Sequence, residues 1–317
     1  MITNEKIINS IKYVVDNSKY VSINIKNIDS VISLLYENKK ESWLDSSNLK
    51  IKKFSQKQIL IYLIICESLN FCYWDSNIKW KIKYNDEWYS GSIGLFYAIY
   101  KAIENGYNLL NVDYLEKMTI EEFDEIFKGT TSIPLLKERY DIIKQLVIEL
   151  KKEQVFEKVI DADSDVDLLN NIINYFSNFR DISLYKGKEI YFFKRAILLV
   201  GDLILNIDFV KEKVKNDDNM IGCADYKIPQ VLRHLGILEY SNDLSNLIDK
   251  KQILEHDSEM EIEIRANMLY AIELIKEKLH QEGINMNSVQ IDNALWLLSK
   301  NKKYKDKPHH LTKTIYY

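Results

Sequence analysis

Hydrophobic side chains recur every three to four residues along most of this chain, which is the spacing of amphipathic α-helices. Helix-start signals accompany this period. Ser55 stands three residues before Gln58, and Thr119 stands three residues before Glu122, so both pairs have the pattern of a capping box. A long amphipathic segment opens at Pro134, a residue suited to the first turn of a helix. The pattern therefore predicts a mainly α fold.

One segment in the N-terminal half has the period of a strand instead. Apolar residues alternate with lysines from Ile78 to Tyr84, and the pair Asn85-Asp86 follows with the residue types of a tight turn. This alternation predicts a small β-hairpin attached to the helical core.

An acidic, polar stretch from Asp161 to Asp167 offers the most plausible domain boundary. It predicts an N-terminal helical part with the hairpin, residues 1–160, and a C-terminal helical part with the catalytic motifs, residues 161–317; one continuous domain is the alternative. The stretch begins like a calcium-binding loop. However, Val166 and Ile172 occupy the positions where such a loop needs Gly and Glu, which argues against calcium.

Composition narrows the classes of function. The 317 residues are 46% hydrophobic, which is enough for a sizeable hydrophobic core. The net charge is −4, so we do not expect a positively charged surface for binding nucleic acid. The apolar run near 59–66 is too short to span a bilayer, and the first ten residues do not resemble a signal peptide. We expect a soluble cytoplasmic protein with no membrane partner and no stable nucleic-acid partner.

Three cysteines, Cys66, Cys72 and Cys223, lack the spacing of metal ligands. We expect them to be reduced and to act as small hydrophobic residues. The sequence also lacks a glycine-rich phosphate loop, and it indicates neither a metal nor a cofactor.

Adjacent charges interrupt an apolar helical segment that runs from Tyr191 to Leu203. Lys194 and Arg195 must be paired or must line a cavity, because burying an uncompensated charge is costly. Arg195 and Asp202 share a helix face about two turns apart, so a structural ion pair is one interpretation and a functional cavity is the other.

The stretch "CADYKIPQVLRHLGILEYS", which begins at Cys223, places two rare residue types close together. Pro229 suits the first turn of a short helix and Gly236 suits its left-handed end. Asp225 precedes this helix. Its carboxylate could cap the helix, or it could face a pocket that it shares with Lys194.

Several blocks, taken together and in order, resemble the queuosine salvage protein family, the queuosine 5'-phosphate N-glycosylase/hydrolases. The blocks are "NFCYWD", "KWKIKYNDEWYSGSIGLFYAIYKA", "SIPLLKER", "FRD", "FFKRAILLVGDL", "ADYKIPQVLRHLGILEYS", "EIEIRA" and the terminal "IYY". The resemblance covers nearly the whole chain. It implies a mostly helical fold related to helix-hairpin-helix DNA glycosylases, and hydrolysis of queuosine 5'-monophosphate to queuine and ribose 5-phosphate.

The resemblance also implies a catalytic lysine and a catalytic aspartate, which match Lys194 and Asp225. Lys227 stands where the family commonly has arginine, and Ile197 where glutamine often occurs, so substrate contacts could differ there. A carboxylate suits the positive charge that develops on ribose, where it would stabilise that charge or activate water. The lysine could contact the base or the ribose, or keep the aspartate ionised.

Further residues are candidates for substrate binding. Aromatic rings near the end of the first capped helix could stack on the base, although such clusters are commonly core, and polar residues elsewhere could contact the base or the phosphate. The candidates are Phe71, Tyr73, Trp74, Asp75, Arg195, Tyr226, Lys227, His310 and Tyr317.

Two other functions stay open at the level of sequence. The chain could be an N-glycosidase for another base, which would retain Asp225. It could instead be a helix-hairpin-helix nucleic-acid-binding module that uses "LRHLGILEYS" as a clamp. The acidic net charge and the absence of paired glycines in that segment argue against the second alternative.

Overall fold

The computed structural model describes residues 1–37, 49–75, 78–214 and 220–317. The α-helices within these ranges are α1 (Asn4–Asn17), α2 (Asp29–Glu37), α3 (Gln56–Ser68), α4 (Gly91–Glu104), α5 (Val112–Lys117), α6 (Ile120–Phe127), α7 (Leu136–Leu150), α8 (Val155–Ile160), α9 (Asp165–Tyr175), α10 (Lys194–Asn206), α11 (Asp208–Lys213), α12 (Lys227–His234), α13 (Asn242–Asp249), α14 (Glu259–Gln281) and α15 (Ser288–Leu298). The strands are β1 (Val21–Ile23), β2 (Trp74–Asp75), β3 (Ile78–Lys79), β4 (Lys81–Tyr84), β5 (Glu87–Ser90), β6 (Ile182–Tyr185), β7 (Lys188–Tyr191) and β8 (Leu238–Tyr240). The predicted mainly α class is confirmed.

The strands of the described residues pair antiparallel and two by two, as β1 with β8, β2 with β3, β4 with β5, and β6 with β7. The predicted hairpin is confirmed as β4 and β5. Its turn residues Asn85 and Asp86 have φ of 45° and 65°, the left-handed values that a tight two-residue hairpin turn requires.

The alternating run that predicted the hairpin is divided at Trp80. Its indole N–H donates to the carbonyl of Phe127 at 2.8 Å, and the ring is fully buried. The residues before Trp80 pair with β2 and those after it pair with β5, so one predicted strand becomes two.

Local capping signals are also confirmed. The side chains and backbones of Ser55 and Gln58, and of Thr119 and Glu122, form reciprocal capping boxes at the starts of α3 and α6. Among the described helices, none combines the length and the hydropathy needed to cross a bilayer.

The chain forms two compact units that are discontinuous in sequence. The described residues of unit 1 are 1–37, 181–197 and 220–313. Those of unit 2 are 49–75, 78–180, 198–214 and 314–317. Residues 161–167, where the sequence predicts a boundary, lie in unit 2 and connect α8 to the first turn of α9. The division of the chain at this stretch stays a prediction.

Unit 1 is organised around α14, which packs against α1, α12 and α15. This helix carries charged side chains into the core. Glu263 is fully buried and accepts hydrogen bonds from three consecutive backbone N–H groups, at residues 19–21, and from the hydroxyl of Tyr185. Such donors compensate the desolvation of the carboxylate, so Glu263 fixes the start of β1 to α14.

Candidate functional site

The short helix α12 has the ends that its sequence predicts. Pro229 is its third residue, within the first turn, and Gly236 follows its end with φ of 68°. The next residue, Ile237, donates its N–H to the carbonyl of Leu232 at 2.9 Å, which completes a left-handed helix end. A bidentate ion pair from Arg233 to Asp249 at 2.7 and 3.1 Å also anchors the helix.

Asp225 precedes α12 and is held through backbone groups. Its Oδ1 accepts a hydrogen bond from the N–H of Lys227 at 2.5 Å, and its own N–H donates to the carbonyl of Cys223 at 2.7 Å. The side chain is half-buried. Asp225 therefore satisfies the N–H of the first residue of α12 in a local turn, and this contact also fixes the direction of its carboxylate.

A second carboxyl group, that of Asp292 on α15, lies beside this segment. Its Oδ1 accepts a hydrogen bond from the N–H of Cys223 at 2.8 Å, and the residue is 8% exposed. Gly222 permits this approach, because a Cβ atom built there would lie 3.0 Å from Asp292 Oδ1. The peptide groups of Cys223 thus connect both acids, with its N–H on Asp292 and its carbonyl on the N–H of Asp225.

The charges of Lys194 and Asp225 both act on the carboxyl group of Asp292. The pKa of Asp292 is raised to about 8, mainly by burial and to a lesser degree by the negative charge of Asp225. The Cys223 hydrogen bond and the positive charge of Lys194 act in the opposite direction. Lys194, Asp225 and Asp292, which we call the carboxyl–lysine cluster, therefore form one coupled group in unit 1.

Lys194 is the first residue of α10 and is 6% exposed. The apolar segment that predicted a helix from Tyr191 is not helical throughout, because Phe193 has φ of 48° and turns the chain directly before Lys194. The carbonyl of Asp181 holds this turn by accepting the N–H groups of residues 192 and 193 at 3.0 and 3.3 Å. The guanidinium of Arg265 in turn binds both carboxylate oxygens of Asp181, at 3.2 and 2.5 Å.

The predicted binding residues Tyr226, Lys227 and His310 also belong to unit 1. The ring centroid of Tyr226 lies 4.8 Å from that of His309, and Lys227 Nζ lies 5.2 Å from the Tyr226 ring centroid. Burial lowers the pKa of His310 to about 4, so its imidazole is neutral at pH 7 although the charge of Asp225 acts in the opposite direction. A neutral His310 can donate or accept a hydrogen bond but adds no positive charge.

Arg195 is 1% exposed and follows Lys194 on α10. It belongs to unit 1, whereas Asp202, its proposed structural partner, belongs to unit 2. Both side chains are buried.

The remaining predicted binding residues belong to unit 2, where a buried arginine organises the segment after α3. Arg139 of α7 is fully buried and donates to the carbonyls of Leu69, Phe71, Cys72 and Pro134. Its guanidinium also covers the Phe71 ring at 4.1 Å from the centroid. Four carbonyl acceptors around one guanidinium fix the course of this irregular backbone.

The aromatic candidates of this segment differ in exposure. Phe71 and Tyr73 are buried, and the Tyr73 hydroxyl donates to Asn70 Oδ1 at 2.7 Å, which agrees with a core role. Trp74 is half-buried and Asp75 is exposed, so these two side chains remain accessible.

Tyr317 is 2% exposed and also contributes to this segment of unit 2. Its carbonyl accepts the N–H of Cys72 at 2.9 Å, next to the carbonyls that Arg139 binds. The terminal residue thus holds the backbone that carries the aromatic candidates.

Three described side chains could supply ligand atoms to a metal. The ligand atoms of His256, Asp257 and Glu261 lie within 4.8 Å of one another. The two ring nitrogens of His256 face different carboxylates, Nε2 at 3.6 Å from Asp257 and Nδ1 at 3.8 Å from Glu261, and Arg265 lies 3.6 Å from Glu261. An imidazole placed between two acids, with an arginine near one of them, suits a charged group.

Sequence reasoning missed Asp292 and Arg139. Asp292 lies in the apolar segment "IDNALWLL", and Arg139 lies in "IPLLKERYDIIKQ". Asp292 could have been found from the sequence, because an acid within an apolar helical segment is expected to be buried, as Lys194 is, and a buried charge needs compensation. Arg139 has no such signal, since an amphipathic helix contains many charged residues that stay in water.

Comparison with known proteins gives one consistent result. The family whose sequence model matches residues 49–317 is described as queuosine salvage protein. A Sphaerobacter thermophilus protein named queuosine 5'-phosphate N-glycosylase/hydrolase is 33% identical over 261 residues, which cover 81% of this chain and 80% of that protein. A Bos taurus protein of the same name is 28% identical over 333 residues, covering 97% of both chains. A Schizosaccharomyces pombe protein of that name is 28% identical over 260 residues, covering 76% and 75%.

The raised pKa of Asp292 predicts a pH-dependent effect of Asp292→Asn on stability. Between about pH 4, the ordinary value, and about pH 8, the folded state holds a proton that the unfolded state has lost, so the contribution of Asp292 to stability falls as pH rises through this window. Asparagine has no such titration. The melting temperature of the variant relative to wild type should therefore rise between about pH 5 and about pH 9.

The matched control is Asp243→Asn, since Asp243 is exposed in the first turn of α13. Its melting temperature should keep a nearly constant offset from wild type over this pH range. A constant offset for Asp292→Asn as well would contradict the raised pKa.

Proposed function

The chain belongs to the queuosine salvage protein family, and we propose that it hydrolyses the N-glycosidic bond of queuosine 5'-phosphate, releasing queuine and ribose 5-phosphate. The observation that carries this proposal is the carboxyl–lysine cluster of unit 1, in a chain whose relatives are named for cleavage of this bond. The activity would supply queuine for salvage.

Asp225 is the residue that we assign to the ribose. Breaking the bond between ribose and base develops positive charge on the sugar, and a fixed carboxylate stabilises this charge or activates the attacking water. Asp225 supports this role because backbone contacts on both sides hold it, while the side chain stays half-exposed. A preorganised carboxylate needs little rearrangement as the charge develops.

Lys194 is the positive partner of the two acids. Its positive charge opposes the effect of burial on the pKa of Asp292, and we propose that the same ammonium group lies beside Asp225 at the ribose. A hydrogen bond from Lys194 to the ribose or the base is compatible with that role.

The substrate's base and phosphate need separate contacts. In unit 1 we propose Tyr226, Lys227 and neutral His310 as polar contacts, with Lys227 as the positive group for the phosphate. Arg195 stays a binding candidate of the same unit.

Within unit 2, Trp74 and Asp75 are accessible, and by residue type they stay candidates for a stacking contact and a hydrogen bond. Phe71, Tyr73 and Tyr317 would act mainly by holding that segment in place, because all three are buried.

The direct test is incubation of the purified protein with queuosine 5'-phosphate and, in parallel, with unphosphorylated queuosine, followed by mass detection of queuine. We expect queuine release with clear preference for the phosphate, since a charged group adds binding contacts that the nucleoside lacks. Equal rates for both substrates would contradict the proposed contact between the protein and the phosphate. Faster release of a base from guanosine or adenosine 5'-phosphate would favour an N-glycosidase of other specificity.

The variant Asp225→Asn tests the catalytic assignment. Asparagine keeps the size of the side chain and can still accept the Lys227 N–H, so the fold should be retained. Turnover of queuosine 5'-phosphate should fall by at least about a hundredfold, the scale for removing one preorganised electrostatic group. Asp243→Asn should retain wild-type turnover, because its carboxylate is exposed. Near-normal turnover by Asp225→Asn would mean that Asp225 serves only the start of α12 and has no catalytic role.

A further inference from the structure

Asp292 belongs to the carboxyl–lysine cluster, but the function proposed above gives it no role in the reaction. It is the more buried of the two acids, and its Oδ1 binds a backbone N–H of Cys223. Two acids and one lysine would together carry a net negative charge if both acids were ionised. Because Asp292 is 8% exposed and the charge of Asp225 acts on it, keeping its proton costs less free energy than a second negative charge at that position.

The two acids lie in environments that suit different forms of the side chain, a carboxylate for Asp225 and a neutral carboxyl group for Asp292. Asp225 is half-exposed and accepts the N–H of Lys227, which suits a carboxylate. Asp292 is removed from water and lies beside the charge of Asp225, which suits a neutral carboxyl group. Pairs of acids with such opposed environments commonly divide into a base or charge stabiliser and a proton donor.

The chemistry of the leaving base creates a need for such a donor. Queuine is a 7-deazapurine, so a carbon occupies the ring position where a purine has a nitrogen that can take a proton. The proton must go to another atom of the base. A neutral carboxyl group near the ribose-binding acid can deliver it to the nitrogen that is bonded to the ribose.

Resting on the proposed function, we propose that Asp292 is the general acid that protonates the departing base, while Asp225 serves the ribose and the water. The bond between the ribose carbon and the base nitrogen breaks, its electron pair stays on the nitrogen, and the Asp292 proton moves there. Water adds to the ribose carbon and gives a proton to Asp225. Transfer of that proton from Asp225 to the Asp292 carboxylate restores the starting state.

The test compares wild type, Asp292→Asn and Asp225→Asn on two substrates. One is queuosine 5'-phosphate, whose base needs a proton. The other is 4-nitrophenyl riboside 5-phosphate, whose phenolate leaves without one. Asp292→Asn should lower kcat/KM by at least about a hundredfold on the first and by less than about tenfold on the second, since general acids contribute on the larger scale. Asp225→Asn should lower both.

The pH profile gives a second readout that a merely structural role would not change. Wild-type kcat/KM for queuosine 5'-phosphate should fall above about pH 8, where Asp292 loses its proton, and the residual activity of Asp292→Asn should lack this fall. Circular dichroism confirms that each variant is folded, and Asp243→Asn serves as the exposed control. If wild type does not cleave the nitrophenyl compound, the pH profiles of wild type and Asp292→Asn alone test the general-acid role of Asp292.

The outcomes separate the general-acid assignment from the proposed function. Hydrolysis of queuosine 5'-phosphate by wild type, with near-normal kcat/KM or an unchanged pH profile in folded Asp292→Asn, would overturn the assignment and leave the function intact. An equal loss on both substrates would also overturn it. No queuine release by wild type would overturn the proposed function itself.

Discussion

The candidate site depends on one electrostatic constraint, which is that the buried carboxyl group of Asp292 lies under the opposing charges of Asp225 and Lys194 in unit 1. Desolvation opposes every charge placed there, and a second negative charge adds repulsion. The positive charge of Lys194 acts on Asp292 in the opposite direction. The structure meets the constraint by leaving Asp225 half-exposed and burying Asp292, whose pKa rises to about 8. Two residues of the same chemical type thereby occupy different environments and can take different roles.

Buried polar contacts of the fold hold this cluster in place. Cys223 connects the two acids through its N–H and its carbonyl. Arg265 of α14 binds Asp181, whose carbonyl fixes the turn directly before Lys194. Such buried ion pairs add little to net stability compared with apolar packing, but removal of one partner leaves an uncompensated charge. We infer that the charged core of unit 1 serves mainly to position the cluster.

The sequence predicted the features that local chemistry determines. Pro229 and Gly236 fixed the ends of α12, and Asn85-Asp86 fixed the hairpin turn, because each preference acts within a few residues. The position of Asp225 directly before α12 followed from the same local signals.

Features that depend on distant contacts were not predictable in this way. The left-handed φ of Phe193, which starts α10 at Lys194, is supported by Asp181 and, through it, by Arg265 on another helix. The two units interleave along the chain, so each is assembled from segments that are distant in sequence. Asp292 is 67 residues beyond Asp225 in sequence, and only the folded backbone near Cys223 brings the two together.

The most direct test of the central claim is isotope-edited infrared spectroscopy of the carboxyl groups in protein labelled with carbon-13 at aspartate. At about pH 6 most aspartates are ionised, so a band of a protonated, buried carboxyl group stands apart from the carboxylate bands. The account predicts such a band in wild type and in Asp225→Asn, its loss in Asp292→Asn, and its disappearance from wild type as the pH rises above about 8. A wild-type spectrum without a protonated band, or a band that survives in Asp292→Asn, would contradict the account.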